Sequence, residues 1–277
     1  MISEFKDILI QEFEINELTY NDRLGSIFEQ YASFLVSENK KYNLTKITSL
    51  QDIVDKHFID SILGFEKLKY SDFNTEKLTL MDIGTGAGFP GVPLIFYDWF
   101  CNDRKSIKKV HLIDSNKKKT DFLKFLFDNL SNPIDEDAFV VHNDRVETLD
   151  LYPIDCEKDK VPLLFLSRAT GDINKVLRHL TQHCVQNNNH HVSLLYYGSL
   201  SAVNNFLSNI ETISNNEVSN AQLKEMTGLR MCMDKVRIRQ SNIDSRYSID
   251  CEIIEAYRFS KKEYTRISVL YKISKES

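Results

Sequence analysis

The stretch Leu78-Thr79-Leu80-Met81-Asp82-Ile83-Gly84-Thr85-Gly86-Ala87-Gly88-Phe89-Pro90-Gly91 limits the possible folds more than any other part of the chain. A short apolar run ends in glycines at every second position, and Pro90 and Pro93 follow closely. The run predicts a buried parallel strand over Leu78–Ile83. Glycines let the backbone turn sharply and approach a ligand closely. Prolines suit the first turn of a helix. A strand, a ligand-sized turn and a helix in succession open an α/β sheet.

The rest of the chain continues that alternation. Strands are predicted at Val110–Ile113, Ala138–Val141, Val161–Leu166 and His191–Tyr196, with helices at Gly91–Tyr97, Lys118–Leu130, Ile173–Cys184 and Ser201–Ile210. Cys251–Phe259 and Thr265–Ile273 alternate in the strand period around a basic turn at Ser260–Glu263, which predicts a closing antiparallel hairpin. The expected fold is α/β, a doubly wound, mostly parallel sheet of seven strands. Residues 1–70 read instead as a helical extension, with one clear face through Leu24, Ile27, Phe28, Tyr31, Phe34 and Leu35 and another over Asp52–Leu63. Asn39–Ile47 between them is too polar for a core element. The ligand-binding domain is expected over 71–277, with the polar segment 211–248 as a loop or insertion.

The loop chemistry narrows the ligand. The spacing is G-x-G-x-G, not the G-x-G-x-x-G of dinucleotide enzymes. Asp82 stands two residues before the first glycine. A carboxylate there repels a pyrophosphate and suits a ligand with an ammonium or sulfonium group, which points to S-adenosyl-L-methionine. Gly84, Gly86 and Gly88 would let that ligand approach the backbone. Asp114, at the end of the second strand, is placed to accept hydrogen bonds from ribose hydroxyls. Val146 and Glu147, just after the third strand, are candidates to contact the adenine edge. Plainer readings stand beside these. A glycine triad also serves as a tight turn alone, and Asp114 or Ser115 also serves as an N-cap for the next helix.

Five segments in order resemble one family. They are Lys41-Tyr42-Asn43-Leu44-Thr45, His57-Phe58-Ile59-Asp60-Ser61, the glycine loop with its Gly88-Phe89-Pro90-Gly91, Asp114-Ser115 with Lys118, Lys119, Phe122 and Leu123, and Ser167-Arg168-Ala169. Together they resemble the small-subunit ribosomal RNA guanine-N7 methyltransferase family, the RsmG or GidB type, over about residues 28–200. The resemblance implies a class I, Rossmann-like methyltransferase domain that uses S-adenosyl-L-methionine. It implies cofactor contacts at Gly84, Phe89, Val146, Glu147 and Arg168. It also implies cytoplasmic action on a guanine of ribosomal RNA, as naked RNA or within a small-subunit particle. The sequence departs from the family at Glu38, where Trp is usual before Asn39, and at Tyr197, where Lys is usual before Gly198.

Methylation at guanine N7 removes no proton, so no catalytic base is assigned; catalysis rests on proximity and orientation. Arg168, Asn43, His57 and Asp60 are candidates for positioning the substrate. For Arg168 the alternative is an ion pair with Glu147 or Asp144, and for His57 a packed helix position.

Composition excludes other classes. The cysteines, Cys101, Cys156, Cys184, Cys232 and Cys251, form no C-x-x-C pair, so neither a disulfide framework nor a metal site is expected. The acidic N-terminal stretch predicts no signal or transit peptide, and no apolar run suits a membrane span. A net charge of −5 argues against a free-standing RNA binder but allows a local basic patch such as Lys117–Lys119. A monomer is expected. The alternatives are an NAD-dependent oxidoreductase, a non-enzymatic RNA-binding protein that kept a methyltransferase fold, and a methyltransferase acting on a small molecule or a protein.

Overall fold

A computed structural model describes residues 2–68, 73, 75, 77–101, 106–131, 135–146, 162–168, 173–186, 191–199, 236–238, 247–258 and 265–275. They fall into two compact units, Met1–Leu163 and Leu164–Ser277.

The first unit begins with α1 (Ile2–Ile15) and α2 (Asp22–Tyr42). Asn21 caps α2, its side chain accepting from the Arg23 and Leu24 N–H groups. The helix buries Leu24, Ile27, Phe28, Tyr31 and Leu35, the expected stripe. It runs four residues into the segment the sequence marks as too polar, and ends at Asn43 in the left-handed conformation, φ 52°. Leu44 beyond it is buried, so that segment does contribute to the core. A short α3 (Leu50–Ile53) passes through a π-helical stretch, Val54–Ile59, into α4 (Asp60–Leu68).

The sheet of this unit follows. β1 (Leu78–Ile83) is buried at every position, as a parallel strand covered on both faces should be. After it come α5 (Gly91–Cys101), β2 (Ile107–Ile113), α6 (Lys117–Asn129) and β3 (Phe139–His142). The strands lie in the order β3-β2-β1, all parallel, with Asp82 opposite Leu112 and Ile113 opposite His142. α2 packs on α5 and α6, and α1 on the π-helical stretch. The N-terminal helices thus share one compact unit with the glycine loop.

The second unit contains β4 (Leu163–Arg168), α7 (Ile173–Gln186), β5 (His191–Ser199), β6 (Val236–Ile238), β7 (Tyr247–Arg258) and β8 (Thr265–Lys275). β4 and β5 are parallel, and β5, β8, β7 and β6 follow as antiparallel neighbours. The parallel strands and the closing hairpin are as the sequence predicts. Eight strands occur among the described residues, not seven. The addition is β6, inside the segment expected as a loop, and β7 also starts within that segment. The predicted helix 201–210 and turn 260–263 lie outside the described residues.

Candidate functional site

The loop between β1 and α5 is closed from beneath by one carboxylate. Asp82 is fully buried, and its Oδ2 accepts from the Thr85 hydroxyl at 2.7 Å and from the Gly91 N–H at 2.9 Å. The Gly84 and Thr85 N–H groups both donate to the Ile113 carbonyl, tying the tip of β1 to the end of β2. Gly88 and Phe89 donate to the Thr85 carbonyl, and Val92 donates to Gly88 as α5 begins. The turn needs positive φ at Gly84 (68°), Gly86 (63°) and Gly88 (104°).

The glycines serve two purposes. A Cβ on Gly88 would lie 2.5 Å from the Tyr31 Oη and 2.9 Å from Leu123 Cδ2, so that position is required by packing. A Cβ on Gly86 would meet nothing nearer than 4.0 Å. Gly84 and Gly86 are half-buried while Thr85 and Ala87–Gly91 are buried. The open side of the loop is therefore at Gly84 and Gly86.

Asp114 borders that open side. Its Oδ2 accepts from the Gly86 N–H at 3.0 Å and its Oδ1 from the Asn116 N–H at 2.8 Å. Lys119 Nζ stands 3.6 Å from Oδ2. The Asp114 backbone is held by the His142 carbonyl and by the Asn143 side chain. A carboxylate offers about four lone-pair sites, so each oxygen keeps capacity for a hydroxyl donor. The cap of α6 belongs to neither Asp114 nor Ser115: the Asn116 side chain accepts from the Lys118 N–H at 3.0 Å. His142, the last residue of β3, has its Nε2 2.9 Å from Nδ1 of His111 in β2, with the rings nearly parallel. Burial lowers the His142 pKa, and Asp144 opposes that shift.

The N-terminal motifs reach the same loop. Asn39 clasps Thr45 through both its N–H (2.9 Å) and its carbonyl (3.0 Å). Thr45 Oγ1 lies 3.2 Å from His57 Nε2, and the His57 ring stacks on Phe89 at 4.2 Å. Tyr31 stacks parallel to Phe89 at 5.0 Å, and its hydroxyl donates to the Ala87 carbonyl. Asp60 is fully buried at the start of α4, and Asn43 is an exposed cap.

The sequence profile of the family described as rRNA small subunit methyltransferase G matches residues 25–227. The chain belongs to this family. Ribosomal RNA small subunit methyltransferase G of Mycoplasma capricolum subsp. capricolum is 38% identical over 160 residues, which are 57% of this chain and 59% of that protein. The protein of the same name from Mycoplasma mycoides subsp. mycoides SC is 40% identical over 135 residues, 48% of this chain and 86% of its own. The chain thus spans under two thirds of the first relative. A SAM dependent methyltransferase of known structure from Aquifex aeolicus is 12% identical, with a TM-score of 0.38, and covers 78% of this chain and 92% of its own.

Of the residues expected to bind in this member of the methyltransferase G family, Gly84, Gly86, Gly88, Phe89, Asp82 and Asp114 converge on one loop. Val146 is half-buried just after β3, and Glu147 lies outside the described residues. Arg168 ends β4 in the second unit, opposite Tyr197 in the parallel register. Tyr197 itself is buried, and Glu38 pairs with Lys41 at 2.7 Å on the surface. Tyr31, Asn39, Thr45, Thr85, Asn116 and Lys119 make contacts around the loop that the sequence does not assign to them, although Thr45, Thr85 and Lys119 lie in the segments that carry the family resemblance. Thr85 also carries a local signal, a hydroxyl three residues beyond the strand-end acid.

Proposed function

We propose that this chain is an S-adenosyl-L-methionine-dependent methyltransferase that modifies N7 of a guanine in small-subunit ribosomal RNA. The observation that carries the reading is Asp114, pinned by the Gly86 and Asn116 N–H groups at the open side of the loop. Membership of the methyltransferase G family supports the RNA substrate.

The residues present fit an adenosyl ligand. A fixed carboxylate at the end of β2 suits a ribose diol. Gly86 leaves room for close backbone approach, with no side chain within 4 Å of its Cβ direction. The acids at both flanks disfavour a pyrophosphate. Bound S-adenosyl-L-methionine supplies an electrophilic methyl group on a sulfonium sulfur. In transfer to guanine N7, the N7 lone pair forms the new C–N bond and the C–S pair returns to sulfur. No proton leaves the acceptor, so the chain need only hold, align and keep out water. Asp82 would act from beneath, through Thr85 and Gly91, rather than by touching the ligand. Lys118, exposed on the first turn of α6, is a candidate contact for RNA phosphate, one that salt would weaken. Such work belongs with the ribosomes of the cytoplasm.

Mass mapping of small-subunit ribosomal RNA from cells lacking the protein tests the reading. One N7-methylguanine should disappear, return with the wild-type gene and stay absent with Asp114→Ala. An unchanged methylation pattern would overturn it.

A further inference from the structure

We propose that His57 is a positioning residue for the cofactor site: anchored by Thr45 and Asn39, its ring sets Phe89 and thereby the open face of the glycine loop. The proposal rests on the loop's being the S-adenosyl-L-methionine site, and deepens that reading by assigning a task to the helices outside the sheet.

The local backbone is unusual at the right place. His57 sits within the π-helical stretch Val54–Ile59, and the Asp60 N–H donates to the Asp55 carbonyl, five residues back. Such stretches are rare and occur frequently at functional sites. One extra residue in the turn rotates what precedes it by roughly 100° relative to a regular α-helix. In that setting the His57 ring lies at 10° to Phe89 with 4.2 Å between centroids.

The ring is also tied at its far edge. Nε2 is 3.2 Å from Thr45 Oγ1, and that oxygen accepts the Ile47 N–H at 3.1 Å. Asn39 fixes the Thr45 backbone on both sides. An apolar side chain would fill the same buried space and stack on Phe89, but it would leave the ring free to slide. Histidine joins a stack to a hydrogen-bonded clasp, so Phe89, which also stacks on Tyr31 and meets the edge of Phe58, is tied on its His57 face to the end of α2.

From Phe89 the path to the ligand face is short. The Phe89 N–H donates to the Thr85 carbonyl at 2.9 Å, and the Thr85 hydroxyl donates to Asp82. Gly86, whose N–H meets Asp114, lies between these fixed points. A shift of Phe89 therefore moves Gly86 against the carboxylate proposed to hold the ribose.

The test uses the full chain, with titration calorimetry of S-adenosylhomocysteine and steady-state methyl transfer. His57→Ala should raise the dissociation constant and the cofactor KM by about tenfold, with the KM for RNA unchanged. His57→Phe keeps the stack and should stay within about threefold of wild type. Thr45→Val removes the anchor, together with the acceptor of the Ile47 N–H, while keeping the His57 stack, and should also cost about threefold. Cofactor affinity at the wild-type level in folded His57→Ala would overturn the proposal, as would His57→Phe as weak as His57→Ala. If His57→Ala fails to fold, Thr45→Val decides, and unchanged affinity there overturns it. A wild-type chain that binds no S-adenosylhomocysteine would sink the proposed function itself, and this inference with it.

Discussion

Asp82 and Asp114 stand at the tips of adjacent parallel strands, yet the inner and outer flanks of the glycine loop are wired differently. On the inner flank Asp82 is sealed from solvent and bridges Thr85 and Gly91, two points of one turn. On the outer flank Asp114 joins Gly86 to the start of α6 and retains 8% exposure beside Lys119. The first carboxylate builds the loop. The second presents it. Burial and the choice of partner separate the two roles, and residue type does not.

The glycines give the sharpest way to break this contrast. Gly88→Ala, on the packed side, should cost about 4 kcal/mol, from positive φ together with the clash with Tyr31. Gly86→Ala, on the open side, should cost only about 1 kcal/mol for its left-handed backbone while still impairing ligand binding. Urea unfolding compares them, and equal losses would abolish the distinction. Next in size, Asp82→Ala should lose about 3 kcal/mol by removing charge-assisted bonds from a buried site. Asp114→Ala should lose no more than about 1 kcal/mol, because water can reach the N–H groups it frees. A reversed order in the two melting curves would contradict the assigned roles.

The smallest effect belongs to the strands beneath. Burial lowers the His142 pKa, so the unfolded chain binds more protons as pH falls through the ordinary value of about 6.5. Stability from this group is complete above that value and is lost as pH falls towards the folded pKa. Melting temperature should drop between pH 7.5 and 5.5, and His142→Gln should flatten the slope. An identical slope in that variant would remove His142 from the account.

Much of the first unit is legible in the sequence because burial there follows simple periods. β1 reads as an apolar run, α2 as a stripe at three and four, and the loop as glycines at the end of a strand. What fails is the choice among polar side chains with several possible partners. Asp114, Ser115 and Asn116 are all competent caps. Asn116 takes that role because Asp114 is engaged by Gly86, a residue 28 positions away in sequence. Tyr31 reads only as part of a helix face, since the partner of its hydroxyl, Ala87, comes from the tertiary fold. β6 spans only three residues in a polar stretch, and its definition comes from pairing with β7. Neither period nor composition marks so short an edge strand.

The central claim is that the outer flank receives an adenosyl sulfonium ligand. Titration calorimetry of the full chain with S-adenosylhomocysteine and with NADH addresses it directly. The homocysteine derivative should bind, with affinity falling about a hundredfold in Asp114→Ala, and NADH should give no heat. Binding of NADH with S-adenosylhomocysteine ignored, or affinity indifferent to Asp114, would contradict the account.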